Sequence, residues 1–419
     1  MEYQDFQQHL IVSVLDREAI SLKEIVRKCG GLYPTELRSF LEKLVTTGKI
    51  GTTSSGYKLA DSARSIDLSH LDVDSADHNS NTVPTVILPQ PHPHDYDWRF
   101  DKLTSSKLSE LVVKETPKGG AALLLGAPSV FAILVRHPPI VPNLILLDWS
   151  NELVNYLKAY NLPSRFSVIQ HNLLEGSAWE TNQSVNTVVC DPPWYPEYYK
   201  AFLAQAAYSA TLGASIILSL MPINTRPQAA TDRWQIFETA QRLGLHLSSI
   251  ELNAIQYDTP AFEEASLHCS EINLERGWRR SDLAIFRKVA PTDKALAHTL
   301  LSEVVGSNPE TREWVELLLG RNKIKLRGPF DDYEVTPDLI SIEEKDTLPT
   351  VSRRYEGRKA VDLWLWDNRV FQVKGKAAFL TALSRLTGKL ATVDSRILPR
   401  PQAVNQALSL LLPLVNVES

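Results

Sequence analysis

Val185-Asn186-Thr187-Val188-Val189-Cys190-Asp191-Pro192-Pro193-Trp194-Tyr195 sets a short apolar run directly against an acid, two prolines and two aromatic residues. A run of that length, rich in β-branched residues and stopped by proline, reads as a buried strand, which makes Asp191 the first residue beyond its carboxyl end. Comparable runs occur on both sides of it, at Ala121 to Leu125, Leu144 to Leu147, Phe166 to Ile169, Ser215 to Leu220, Leu247 to Leu252 and Leu283 to Phe286. Amphipathic helical stretches separate them. That alternation predicts an α/β fold, with βαβ units wound around a parallel sheet of seven strands.

In such a sheet, ligands bind outside the carboxyl ends of the strands, near the point where strand order reverses. The residues following the first four strands are therefore the ones to weigh. They are Gly126-Ala127-Pro128-Ser129, Asp148-Trp149, His171-Asn172-Leu173 and Asp191-Pro192-Pro193-Trp194. Gly126 lets the backbone come close to a ligand, and Ser129 can cap the next helix. Asp148 is placed to accept hydrogen bonds from two ribose hydroxyls, and Trp149 or Asn172 to bracket an adenine. Taken singly, Gly126 is equally an ordinary βα turn, Asp148 an ordinary helix cap and Asn172 a loop polar residue; their recurrence at successive strand ends favours a ligand site. The Asp-Pro-Pro-aromatic run suits transfer to a flat amine. Prolines have a fixed φ and no N–H, so Pro192 and Pro193 hold the chain extended with carbonyls outward. The Asp191 carboxylate and the Pro192 carbonyl can accept both protons of an NH2 group, and Trp194 offers a ring for stacking. Tyr195, Arg226 and Tyr257 fall on the same rim as substrate-binding candidates. Either Arg226 or Arg233 is suited to grip a phosphate or carboxylate, unless Arg226 is spent in a salt bridge. Arg279-Arg280-Ser281-Asp282, ahead of the last strand, is a loop cap or a substrate contact.

The stretch from Leu123 to Ser219 resembles the class I amino-methyltransferases that carry a DPPW or DPPY motif. The resemblance implies a Rossmann-like seven-stranded methyltransferase sheet and S-adenosylmethionine as cofactor. It implies an amine as methyl acceptor, carried by a nucleic-acid base, a protein side chain or a small molecule. The first loop departs from the usual pattern, having no acidic residue before a Gly-x-Gly run. Domain order and the Asp-Pro-Pro run also resemble the branched-polyamine synthases, which move an aminopropyl group from the decarboxylated cofactor. Those enzymes have an acidic Gly-Asp-Asp run where this chain has Gly126-Ala127-Pro128, which ranks aminopropyl transfer second. A non-catalytic protein on the same sheet ranks third, since a relic has no need of both Asp148 and Asp191.

At 419 residues the chain should hold two or three domains. Residues 1–60 read as three short helices and a hairpin, a winged-helix pattern, with the third helix opened by Pro34. They carry eight Lys/Arg and seven Asp/Glu, a poor balance for phosphate contacts, so docking or dimerisation ranks ahead of DNA recognition. Residues 61–95, rich in Ser, Asp, Asn, His and Pro, read as a linker, and Pro91-His92-Pro93-His94 lacks the further ligands a metal site needs. No metal is expected. The methyltransferase domain spans 96–290, and 291–419 form a separate α+β domain that includes the basic stretch Arg321 to Arg327. The winged helix or this last domain offers surface for a protein partner or a second copy. A net charge of −5 provides no overall footprint for nucleic acid. Cys29, Cys190 and Cys269 are too few and too dispersed for a disulfide framework. With no apolar run approaching ~18 residues, a cytoplasmic protein without membrane contact is expected.

Overall fold

The computed structural model describes residues 3–15, 19–59, 86–95, 97–136, 143–274, 276–305, 314–353, 355–388 and 398–415. Residues 61–85 of the expected linker lie outside them.

The N-terminal module has helices α1 (Tyr3–Val14), α2 (Leu22–Cys29) and α3 (Pro34–Thr46), then strands β1 (Ile50–Thr53) and β2 (Gly56–Leu59) paired antiparallel. Ser21 and Glu24 form a reciprocal capping box that starts α2. Pro34 occupies the first turn of α3, where its missing N–H costs nothing. Leu37, Leu41 and Leu44 recur on one face of α3 and are buried with Ile11 and Ile25, and Leu274 and Trp278 of the central domain pack against this small core. The module is therefore docked on its neighbour.

The central domain begins with α4 (Lys102–Glu115) and continues through β3 (Ala121–Leu125), α5 (Pro128–Leu134), β4 (Asn143–Asp148), α6 (Asn151–Lys158), β5 (Phe166–Gln170), β6 (Val185–Cys190), α7 (Pro196–Ser209), β7 (Ala210–Leu220), α8 (Ala229–Arg242), β8 (Leu245–Gln256), α9 (Ala261–Cys269) and β9 (Arg280–Lys288). The sheet order is β5-β4-β3-β6-β7-β9-β8. Every residue of β3 is buried, as expected for a strand with helices on both faces. Order reverses between β3 and β6, so their carboxyl ends open a crevice there. Backbone bonds Gly126 N–H to Leu147 O (3.1 Å), Asp191 N–H to Leu125 O (3.1 Å) and His171 N–H to Asp148 O (2.9 Å) carry the pairing past the strand ends and fix the loops.

The sheet is not wholly parallel as the alternation predicts: β9 runs antiparallel between β7 and β8. The connection explains it. Residues 257–279 leave the end of β8 and come back to the same end, where Tyr257 N–H donates to Arg279 O at 3.0 Å. The returning strand must then point the other way.

After β9, α10 (Lys294–Glu303) packs on α7, and its Ala297, Leu300 and Leu301 belong to the catalytic core although they follow the boundary drawn at residue 290. Beyond it β10 (Trp314–Leu319), β11 (Asn322–Arg327), β12 (Asp338–Ser341), β13 (Leu363–Leu365) and β14 (Val370–Lys374) make an antiparallel sheet of order β10-β11-β13-β14-β12, covered by α11 (Lys376–Thr387) and α12 (Pro401–Val415). Trp364 points to the other side and is buried with Phe262 of α9. Within the stretch expected to be linker, His92, His94 and Asp95 are buried: His92 Nε2 lies 3.0 Å from Trp364 O, and Asp95 is gripped by Lys323 and Lys325 of β11. Composition alone conceals that burial, because the polar groups here are paired across domains rather than solvated. Among the described residues no helix is long and apolar enough to cross a membrane.

Candidate active site

A cavity of about 480 Å³ lies over the carboxyl ends of β3, β4, β5 and β6, within the usual size range of small-molecule sites.

Its first half is made by the loops after β3, β4 and β5. Gly126 has φ +62°, and a Cβ there would stand 3.3 Å from the Asp191 carbonyl oxygen and the Phe202 ring, so only glycine leaves this crevice open. Pro128 lines the wall. Ala127, buried, and Ser129, half-buried, flank it but are not in the wall, because successive residues in a helical turn point about 100° apart. The Asp148 carboxylate accepts the Ser150 N–H at 2.9 Å through one oxygen, while the Ser150 hydroxyl caps α6 through Leu153 N–H. Burial pushes the Asp148 carboxyl up to about 7, against the Ser150 N–H and Lys323, which favour its charged form. Trp149, His171, Asn172 and Leu173 also border the cavity. Asn172 Oδ1 is engaged by Leu174 N–H at 3.0 Å and His171 Nε2 lies 3.0 Å from Ser177 O, so each has a local structural role beside any ligand contact.

The second half is the Asp191 loop. The Tyr257 hydroxyl donates to Asp191 Oδ1 at 2.7 Å, and Ser219, in contact with Tyr257, is tied to Ser281 at 3.0 Å. Asp191 is half-buried and borders the cavity. Burial therefore dominates and pushes its carboxyl up to about 8, although Tyr257, Ser219 and Arg279 pull the other way. Pro192, Pro193, Trp194 and Tyr195 line the same wall.

Two substrate expectations take a different form. Arg226 borders the cavity, but its guanidinium binds Asp232 at 2.9 and 2.7 Å and the Trp194 carbonyl; it holds the loop in place. Arg233 is likewise paired with Asp282 at 2.6 Å. Trp194 is only 8% exposed, and the Arg279 guanidinium lies 3.9 Å from its ring centroid, so the ring face expected to receive a base is covered.

The other modules close the cavity. Tyr33 comes from the N-terminal module, and Lys323 and Tyr355 from the C-terminal domain. The Tyr33 hydroxyl donates to Glu263 Oε1 at 2.5 Å, and burial pushes Glu263 up to about 7. None of these contributions was assigned from sequence. The one local signal was the run Arg279-Arg280 at the mouth of the sheet; Tyr33 and Tyr355 reach the site through domain docking, and Trp98 and Glu263 through the folding of the central domain itself, from ahead of α4 and from α9.

A family model described as "Probable N6-adenine methyltransferase" matches residues 97–232. This segment is similar to a methyltransferase family. The match covers β3 to β7 and both halves of the cavity, and it supports a class I methyltransferase with S-adenosylmethionine as its cofactor. Among curated proteins none matches the sequence. Similar solved structures include the branched-chain polyamine synthase from Thermus thermophilus and its C9 mutein, each in complex with N4-aminopropylspermidine and 5'-methylthioadenosine. Their identities are 16% and 17% and their TM-scores 0.48 and 0.49, and each alignment covers 69% of this chain and 88% of the other. The N-methyltransferase NodS from Bradyrhizobium japonicum is 12% identical over 45% of this chain and 99% of its own, with a TM-score of 0.30.

The residues fit that cofactor. The space kept open by Gly126 and the second Asp148 oxygen, with apolar Leu173 beside them, provide a backbone cradle and an acceptor for a nucleoside diol.

Proposed function

We propose that this chain transfers a methyl group from S-adenosylmethionine to an amine nitrogen of an acceptor that enters the closed cavity beside Asp191. The observation that carries the reading is the Asp191 carboxyl, held through Oδ1 by Tyr257 on the same cavity as Asp148. Bound S-adenosylmethionine supplies an electrophilic methyl group. Asp148 accepts ribose hydroxyls and sets the register of the nucleoside. Tyr257 occupies one oxygen of Asp191, leaving the other, with the Pro192 carbonyl, to accept the amine protons and turn the nitrogen lone pair toward the methyl. The ionised form of a carboxyl raised to about 8 is the one that accepts these protons, and it can then receive the proton that the alkylated nitrogen sheds. The cavity walls would restrict the acceptor's orientation.

We read the three N-terminal helices and hairpin as a winged-helix module that serves as a roof. Arg38 on α3, a residue a DNA-reading helix would turn outward, donates to Ser270 O at 3.1 Å, and Tyr33 is committed to Glu263. That arrangement favours an acceptor read one small unit at a time.

The test is transfer of labelled methyl to nucleic-acid, protein and metabolite fractions of a cell extract. Label in one fraction is expected. Intact cofactor binding with no label anywhere would overturn the reading, and transfer only from the decarboxylated cofactor would make the chain an aminopropyltransferase.

Cofactor affinity should depend on pH through Asp148. Ligand hydroxyls donate to the ionised carboxylate, so binding lowers its pKa below the free value of about 7. Affinity is then full above pH 7 and falls, by up to about tenfold per pH unit, as pH drops through 7. Asp148→Ala should cost roughly 1.5–3 kcal/mol and flatten the profile. Calorimetry showing the same slope in wild type and variant would remove Asp148 from the site.

A further inference from the structure

Arg279 precedes β9 and borders the cavity with its guanidinium between two indole rings, 4.3 Å from the Trp98 centroid and 3.9 Å from that of Trp194. Among the described residues no carboxylate lies within 4 Å of it, and its Nε is buried without a hydrogen-bond partner. The other arginines near the loop, Arg226 and Arg233, are both paired with aspartates. A half-buried cation without a counter-ion is costly, and stacking on two rings offsets only part of that cost. The nearby acids do not neutralise it. Glu263 shares one oxygen with Tyr33 and leaves Oε2 without a partner, while Asp191 is bound by Tyr257.

We propose that Arg279, clamped by Trp98 and Trp194, is the receptor for an oxyanionic group, a carboxylate or phosphate, on the methyl acceptor. The inference rests on the cavity being the transfer site and adds that the acceptor carries an amine at one end and an oxyanion at the other. The planar fork of the guanidinium matches either oxyanion in a bidentate way, and the two rings hold it rigidly, so little side-chain freedom remains to be lost on binding. Its position favours the acceptor as the source. Arg279 is in contact with Trp98 and Trp194 and acts electrostatically on Tyr33 and Glu263, whereas Gly126 packs near the Asp191 carbonyl and the Phe202 ring.

The probes are inorganic phosphate and acetate, titrated calorimetrically into the full chain at constant ionic strength. Wild type should bind one of them with a millimolar Kd. Arg279→Gln should weaken that binding at least about tenfold, with S-adenosylmethionine affinity within twofold. Should the Gln variant fail to fold, Arg279→Lys, which keeps the charge but not the fork, should show the same loss to a smaller degree. No binding of either anion up to tens of millimolar, or equal binding by wild type and variants, would overturn the proposal. A fall in S-adenosylmethionine affinity with no change for 5'-methylthioadenosine, which has no carboxylate, would also overturn it by assigning Arg279 to the cofactor. Arg279-dependent anion binding in a protein that transfers no methyl would count against the transfer reading alone.

Discussion

Asp191→Asn should lower methyl transfer by about 10²–10³-fold while leaving cofactor affinity within a few-fold, since removing one oriented electrostatic contact in a dry site commonly has that effect. The amide keeps the size of the side chain but exchanges an acceptor oxygen for a donor. With Oδ1 held by Tyr257, the amide has no second oxygen to accept an amine proton beside the Pro192 carbonyl, nor can it take up the proton released afterwards. The same variant should be more stable than wild type above neutral pH. Burial raises the native carboxyl to about 8, against roughly 3.9 when unfolded, so the native state holds more protons between these values and its stability falls as pH rises through that window. Asparagine escapes this loss. A melting temperature rising by roughly 2–4 °C at pH 8 for each ~1 kcal/mol recovered, and no rise at pH 4, is the expected pattern. Unimpaired transfer would remove Asp191 from the chemistry; a stability gain independent of pH would contradict the burial argument.

Asp95→Ala should be the most damaging single change to the fold, at about 3–5 kcal/mol. Asp95 is 6% exposed and Lys323 and Lys325 are 1% and 2% exposed, so the carboxylate is the nearest counter-ion of two buried ammonium groups, which without it would have to share Glu316 and the more distant Asp97. Lys323 Nζ lies 3.0 Å from Asp95, Lys325 is in direct contact with it, and Glu316 reaches Lys325 at 3.0 Å. Burial opposes the charged form of Asp95, but the two lysines prevail and hold it well below the usual carboxylate range. Its contribution is therefore present above the unfolded value near 3.9 and is lost only as pH falls through the depressed native one. The cluster also touches the cofactor half of the site: the Ser150 hydroxyl donates to Glu316 at 2.7 Å and lies 3.3 Å from Lys323. Urea unfolding should show the loss in the midpoint, and adding Lys323→Met and Lys325→Met should recover much of it. A loss under about 1 kcal/mol would mean that water reaches the cluster.

Residues that act where the chain places them were legible in the sequence. The apolar runs of β3 and β6 declare themselves because both faces of these strands are covered, and Gly126, Asp148 and Asp191 follow from the rule that ligands gather at strand ends. The direction of β9 was hidden, because an apolar run has no sign. Lys323 and Lys325 look like a solvated basic stretch, and His92 to Asp95 like a linker, because each is polar taken alone; their burial comes from pairing between positions more than two hundred residues apart. Arg226 and Arg279 illustrate the same limit. Both are arginines at a strand end, yet one is committed to Asp232 and the other is clamped between indoles, and nothing local separates them.

The cavity wall draws on Tyr33, Asp191 and Tyr355 alike. On the ribosome, the Rossmann-like sheet can form once β9 has emerged, but the wall is complete only when the chain beyond residue 355 is out. A nascent or prematurely terminated chain lacks the part of the wall that Lys323 and Tyr355 supply. Completion of the pocket is thus a late event of synthesis.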